Sequence, residues 1–216
     1  FFPDKLEKQV KFLDEHPEYG AVLGFPQVID DDGNDFPDKT HFFCNIFKQP
    51  NRTKAEWLRH FFYEGNCLCM SSSLVRRECI DKIGLYDPRY VQLGDFDFWI
   101  RLCMKHEICI IPENLIYYRV RGNNANISTP DPEATLRATI EYSQILKNYL
   151  QIKTKDDFLS IFPEAKKFEN KIEQDLIPFF MAQLSISIPK PCHQLFGVET
   201  LFDLLTISSL FEIKGK

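Results

Sequence analysis

The sequence has no Cys-x-x-Cys pair, no cluster of His, Cys and acidic residues at metal-binding spacing, and no stretch dense in Lys and Arg. Each absence closes off a class of function. Without clustered ligands, a structural zinc site has nothing to hold the ion. A net charge of −5 and no basic tract leave no footprint for nucleic acid. The short run Val75 to Arg77 reads as a solvated face. There is no signal peptide, no apolar run long enough to span a bilayer, and no internal repeat with a clean period. An initiator Met is also missing. The chain opens on Phe1 and Phe2 and leads straight into a helix, so it reads as a piece cut from something longer.

What is present is an ordinary hydrophobic fraction of 44% over 216 residues, with 20 Phe. That is enough for a sizeable core, or for apolar surface meant to meet a partner. The seven cysteines, Cys44, Cys67, Cys69, Cys79, Cys103, Cys109 and Cys192, are odd in number and scattered. They read as buried free thiols in a reducing compartment. Cys67 and Cys69 alternate on what reads as a strand. No cysteine has a nucleophile context and the histidines have no spacing logic, which removes a cysteine hydrolase. Sequons at Asn51 and Asn126 carry little weight in a reduced protein.

Pro3 suits a first helical turn, and Leu6, Val10 and Leu13 follow at helical spacing before "EHPEYG" ends the helix. Residues 21–30 read as a buried strand interrupted by Pro26, and 31–34 ("DDGN") as a turn. Residues 35–55 read as loop and 55–65 as a short helix. Residues 66–84 read as a strand running into a helix that stops at Gly84. Residues 108–120 read as two strands about a Pro-Glu-Asn turn, and 121–132 as polar loop. Asp131 and Pro132 make a helix start for a helix to about Leu150. Thr154 and Asp157 make a variant capping box. Further helices are broken at Pro163, Pro189 and Pro191.

The stretch "QLGDFDFWIRL", Gln92 to Leu102, sets Asp95 and Asp97 among Phe96, Phe98, Trp99 and Ile100. Carboxylates are costly to bury without partners. Asp95 precedes an amphipathic helix and can cap it. Capping and chemistry are compatible, because the positive end of the helix dipole favours an ionised, rigidly held base. Asp97 sits in the first turn, where an acid is favourable. Arg101 lies four residues on, which predicts a surface pair of little weight. Trp99 reads as core or pocket wall.

The order of these pieces carries a resemblance. "PDKLEKQVKFLDEHPEYGAVLG", a strand and turn ending "IDDDGN", "CLCMSSSLVRRECIDKIGLYDPRY", "GDFDFWIRL" and "IIPENLIYYRV" together resemble the second half of the inverting nucleotide-sugar glycosyltransferases with the GT-A fold, family 2 type. The resemblance covers roughly residues 3–128. It implies an α/β fold, with 1–128 as the acceptor-side part of a glycosyltransferase domain and 129–216 as a helical extension. It implies that Asp95 is the general base, with Asp97, Trp99 and Arg101 on the acceptor side or behind it. Two residues depart from the pattern. Gly94 stands where the family has Glu, and Arg121 stands where many relatives have His. Arg121 becomes a candidate diphosphate contact.

The family's nucleotide-binding half and its metal-holding Asp-x-Asp precede the "PDKLEKQV" helix. The resemblance therefore implies no metal ligand in this chain, and Mg²⁺ or Mn²⁺ only in the full-length enzyme. The implied partners are a nucleotide-sugar donor and a glycan, polysaccharide or lipid-linked acceptor, with no nucleic acid. Apolar runs at Ala21–Phe25 and Cys67–Met70 predict a bare face and self-association. Along His193–Lys214, Leu195, Val198, Leu201, Phe202, Leu205 and Leu210 predict an apolar face packed within the domain, with a membrane surface or partner as the less favoured destination. Gly197 and Thr206 weaken that helix. The implied location is cytoplasmic, or peripheral at the membrane. A competing reading is a non-catalytic interaction module in which Gly94 and Arg121 mark lost chemistry.

Overall fold

The computed structural model describes residues 1–122 and 132–205. The chain forms two units, Phe1–Pro130 and Asp131–Lys216. The first is mixed α/β on a three-stranded sheet, and the described part of the second is helical.

In the first unit the sheet order is β2-β1-β3, built from β1 (Tyr19–Ile29), β2 (Leu74–Val75) and β3 (Glu107–Arg119). β1 is parallel to β3 and antiparallel to β2. Ala21, Val22 and Leu23 are all buried, as expected of a strand covered on both faces. Pro26 does not end β1. It has no N–H to give, and the β1–β3 register shifts beside it, between Gly24 and Pro26. The Pro-Glu-Asn segment is likewise an irregularity within one strand and not a turn between two. It seats Leu115 so close to Gly24 that a Cβ there would lie 2.4 Å from the leucine side chain. At β3, the Asn51 amide mimics a strand residue. It donates to the Ile110 carbonyl at 3.0 Å and accepts from the Ile110 N–H at 2.6 Å. Asn126, the other sequon residue, lies outside the described residues.

Helix α1 (Lys5–Glu15) is turned away from the expected orientation. Lys5, Gln9 and Leu13 are buried, while Leu6 and Val10 are 59% and 48% exposed. The reason is polar. Gln9 Nε2 donates to the Val22 and Ser72 carbonyls, and Lys5 Nζ donates to the Ser73 carbonyl. Backbone carbonyls at a packed interface need donors, and these side chains supply them. Arg76 is similarly engaged and is not part of a solvated face. Its guanidinium donates to the carbonyls of Tyr19, Leu13 and His16, tying the end of α1 to the start of β1.

The stretch read as a strand from residue 66 forms a ladder only at Leu74–Val75. Cys67 and Cys69 lie in extended chain before a 3₁₀ turn, Met70–Ser72. The runs expected to be bare are covered. Residues 21–24 and 67–69 are buried. All seven cysteines are free and buried. Burial pushes the Cys67 thiol up to about 12 and Cys69 up to about 11, far from a reactive thiolate. The segment read as loop holds a short helix, α2 (Phe42–Asn45), and an aromatic cluster in which Phe43 and Phe47 meet Tyr118. Helix α3 (Lys54–Tyr63) starts at a full capping box between Thr53 and Glu56. Helices α4 (Arg77–Ile83) and α5 (Gly94–Cys103) follow, joined by a turn that begins at Gly84, φ +83°.

In the second unit, α6 (Pro132–Leu146) continues as a 3₁₀ segment, Lys147–Gln151. The Asp131 cap lies outside the described residues. Thr154 caps α7 (Lys155–Ile161) by accepting from the Asp157 N–H. Pro163 starts another 3₁₀ stretch, and α8 (Ile177–Ile186) and α9 (Pro191–Leu205) complete the unit. Pro191 opens α9 and does not break a helix, as first-turn proline does. Gly197, read as a weak point, is where α8 and α9 come closest. A Cβ there would lie 2.5 Å from Ile186 Cγ1 and 2.9 Å from the Ala182 carbonyl oxygen. The face of α9 that is buried carries Cys192, His193, Phe196, Gly197 and Thr200. Leu195, Val198, Phe202 and Leu205 point outward instead of packing within the unit.

The predicted surface pair is a buried one. Asp97 Oδ2 and Arg101 Nε are 2.7 Å apart, with side chains only 4% and 17% exposed. The rest of the guanidinium donates to the carbonyls of Ile83, Gly84 and Leu85. One side chain thus fastens the α4–α5 turn to α5. Arg101→Met should lower the unfolding free energy by about 3–5 kcal/mol, because it takes the guanidinium from the buried Asp97 carboxylate. Urea unfolding monitored by circular dichroism measures this. A loss within about 0.5 kcal/mol, as for an exposed pair, would contradict the burial argument.

Candidate functional site

Asp95 is the second residue of α5 and not its cap. The cap position is Leu93, which makes no side-chain cap hydrogen bond. The difference matters for what the carboxylate can do. Asp95 Oδ1 accepts from the Phe96 N–H at 2.8 Å, and Oδ2 accepts from Asn66 Nδ2 at 3.0 Å. The Asp95 backbone N–H adds a third donor to the carboxylate, so each oxygen is held by at least one.

The elements that present this group can be traced. Helix α3 starts beside β3, where the Lys54 N–H donates to Glu107 Oε2. Its other end reaches α5, where Phe61 meets Phe96 edge-on at 5.9 Å. The carboxyl end of α5 leads into β3, so its amino end, with Asp95, is the end away from the start of β3. Gly65, φ +98°, ends the α3 connection and leads into Asn66. From the α4–α5 turn, Tyr86 stacks on Phe98 at 5.2 Å.

Burial pushes the Asp95 carboxyl above its usual range, against the opposing pull of the Phe96 N–H and the Asn66 amide. The neighbouring titratable groups move the same way. Burial raises the Tyr86 phenol and the Cys69 thiol, and the Asp95 charge adds to both. So the carboxylate faces neutral groups and carries a stronger basicity than a solvated aspartate.

Of the other expected site residues, Asp97 and Arg101 serve the turn. Trp99 is fully buried, so it is core and not a stacking surface. Its indole Nε1 meets no acceptor among the described residues. Arg121 is exposed, just past β3. It stands beside the "IDDDGN" turn, because Arg119 donates to the Asp30 and Asp31 carbonyls and the Gly122 N–H donates to Asp31 Oδ2 at 2.7 Å. That turn is held by Asp30 Oδ1, which accepts from the N–H groups of Asp32 and Asn34. A side chain at Gly94 would meet Tyr86 only at 3.5 Å, an ordinary contact, so packing does not demand glycine there. Among the described residues no three His, Cys, Asp or Glu side chains gather as metal ligands would. These residues do not fit a divalent-cation site.

Asn66, Tyr86 and Cys69 are the neighbours that sequence reasoning missed. Only Asn66 had a signal available. An Asn between a helix-ending Gly and an apolar stretch is a place for a side chain that bonds locally.

No family profile matches this chain, and no solved structure matches it. Among curated proteins it is similar to an uncharacterised glycosyltransferase of Methanocaldococcus jannaschii, 26% identical over 127 residues. The match covers 58% of this chain, which spans about two fifths (40%) of the length of that relative.

Proposed function

We propose that this chain is the acceptor-side part of an inverting, nucleotide-sugar-dependent glycosyltransferase of the GT-A type, with Asp95 as its general base. The observation that carries the reading is the Asp95 carboxylate itself. It is half-buried, made more basic by burial, and clamped by at least one donor on each oxygen. In the reaction, an acceptor hydroxyl oxygen bonds to the anomeric carbon of the donor sugar. The bond from that carbon to the diphosphate breaks, and the nucleoside diphosphate leaves with the electron pair. The hydroxyl proton passes to a free lone pair of Asp95. The acceptor is a glycan, a polysaccharide or a lipid-linked sugar, and Arg121 is a candidate contact for the departing diphosphate. A Mg²⁺ or Mn²⁺ ion would be held by the rest of the full-length enzyme, since the described residues of this chain gather no ligand set for one.

Asp95→Asn should remove a factor of about 10²–10⁴ from turnover in the full-length enzyme, because an amide cannot take the proton. The fold should survive. An Asn keeps only one of the two accepted hydrogen bonds, a loss of about 1 kcal/mol, and it also escapes the desolvation of a buried charge. The sign of that second effect is testable. The folded Asp95 pKa is raised, so its favourable contribution is complete below the unfolded pKa and is lost as pH rises through the folded pKa. Wild-type stability should therefore fall over that window relative to the variant. Turnover assays on a nucleotide-sugar panel, with circular dichroism as a control, measure both. A folded Asp95→Asn enzyme with wild-type turnover would sink the assignment.

A second reading is a non-catalytic interaction module, or self-association alongside catalysis. The specific observation is the exposed stripe Leu195, Val198, Phe202 and Leu205 on α9, at spacings that keep one helix face. In the first unit, Leu6 and Val10 of α1 are a separate exposed apolar pair. No helix among the described residues is long and apolar enough to cross a membrane. Sedimentation velocity over a concentration series should show a dimer or larger species that Phe202→Glu weakens. A strict monomer at every concentration argues against this.

A further inference from the structure

We infer that Asn66 is a positioning residue for Asp95, fixing the direction of its carboxylate and tuning its proton affinity. The inference rests on the reading of Asp95 as the base, and it adds a residue that neither the sequence motifs nor the resemblance singled out.

The geometry of Asn66 leaves one arrangement. Its Oδ1 accepts from the Leu68 N–H at 3.0 Å, a local turn in which only an oxygen can serve. That contact decides which end of the amide is which, so Nδ2 must point the other way. There it meets Asp95 Oδ2 at 3.0 Å. The backbone of the segment is itself anchored, with Cys67, Leu68 and Cys69 all buried. Asn66 thus reaches Asp95 from a separate element, 29 residues away in the chain. With the Phe96 N–H on Oδ1, the carboxylate cannot swing about its Cα–Cβ bond without losing one donor. The lone pair left for a proton keeps a fixed direction, which a base in an in-line displacement requires.

The second consequence is electrostatic. A donor on the carboxylate favours the ionised form and opposes the effect of burial. The charged and titratable groups around Asp95 are Cys69 in the Asn66 segment, Tyr86 in the α4–α5 turn and Asp97 on α5. The first two are neutral at physiological pH, and Asp97 is taken up by Arg101. The Phe96 N–H, the Asn66 amide and the Asp95 N–H oppose the effect of burial, and of these three donors Asn66 alone is a side chain.

Two substitutions separate this role from a structural one. Asn66→Asp keeps an oxygen for the Leu68 N–H and replaces the donor by a like charge. Asn66→Ser keeps a turn-forming oxygen and loses the Nδ2 donor without adding charge, since its hydroxyl stands one atom short of the amide nitrogen's reach. Carboxyl carbon NMR on the 216-residue chain follows the titration of Asp95 directly and needs no turnover. In both variants, the Asp95 midpoint should move upward, more in Asn66→Asp. In the full-length enzyme, the acid limb of the turnover profile should move the same way. Asn66→Ser should lose turnover on the order of 10²-fold through misdirection of the carboxylate. An Asp95 titration unmoved in both folded variants overturns the inference. A titration that moves while the turnover limb stays put preserves the Asn66–Asp95 coupling and overturns Asp95 as the base. Should Asn66→Asp fail to fold, Asn66→Ser decides alone.

Discussion

The Arg101 guanidinium holds together the part of the first unit on which everything proposed here depends. It binds Asp97 one turn back on α5 and reaches three consecutive carbonyls, Ile83, Gly84 and Leu85, at the exit of α4. A planar cation with five fixed donors can do this, and a lysine ammonium cannot. The turn so fastened carries Tyr86 onto Phe98 and over the amino end of α5. Remove the fastening, and the wall beside Asp95 is free to move. The acidic pair in "GDFDFW" therefore divides its labour. Asp97 is spent inward on structure, while Asp95 stays only half-buried at the amino end of α5.

Burial and hydrogen bonding act on Asp95 in opposite directions, and the balance suits a base. Complete burial without donors would leave a neutral acid that accepts no proton. Full exposure with the same donors would leave a weak base. At Asp95 burial dominates, and the Phe96 N–H and the Asn66 amide limit its effect while fixing where the oxygens point. The same opposition recurs at α1, where Lys5 is buried against the Ser73 carbonyl and burial lowers its proton affinity. There it serves to satisfy sheet carbonyls and presents nothing outward.

Much of the fold was legible in the sequence where a periodic pattern met a clear boundary. The α3 and α5 helices, the buried β1 run and the "DDGN" turn follow from apolar spacing, capping residues and glycine. What could not be read were contacts set by side-chain hydrogen bonds between distant residues. Leu6, Val10 and Leu13 gave α1 a plausible apolar face. The carbonyls of Val22 and Ser72 instead selected Gln9, and no local pattern shows that preference. The i,i+4 spacing of Asp97 and Arg101 showed that a pair would form but not that it would be buried, because burial depends on the α4 turn folding over it. On α9, Gly197 decided the orientation. The helix turns its smallest residue to α8, which throws Leu195, Val198 and Phe202 outward. At the candidate site, Asp95 was visible from the motif order, and Asn66 was invisible because its partner lies far along the chain.

An in-line displacement with Asp95 taking the hydroxyl proton has one stereochemical outcome, whichever sugar and acceptor are used. Proton NMR of the first-formed product, from the full-length enzyme and its best nucleotide-sugar donor, reads the anomeric configuration directly. The account predicts a single product inverted relative to the donor. A product that retains the donor configuration would contradict the role given to Asp95, because the acceptor would then reach the same face that the diphosphate leaves.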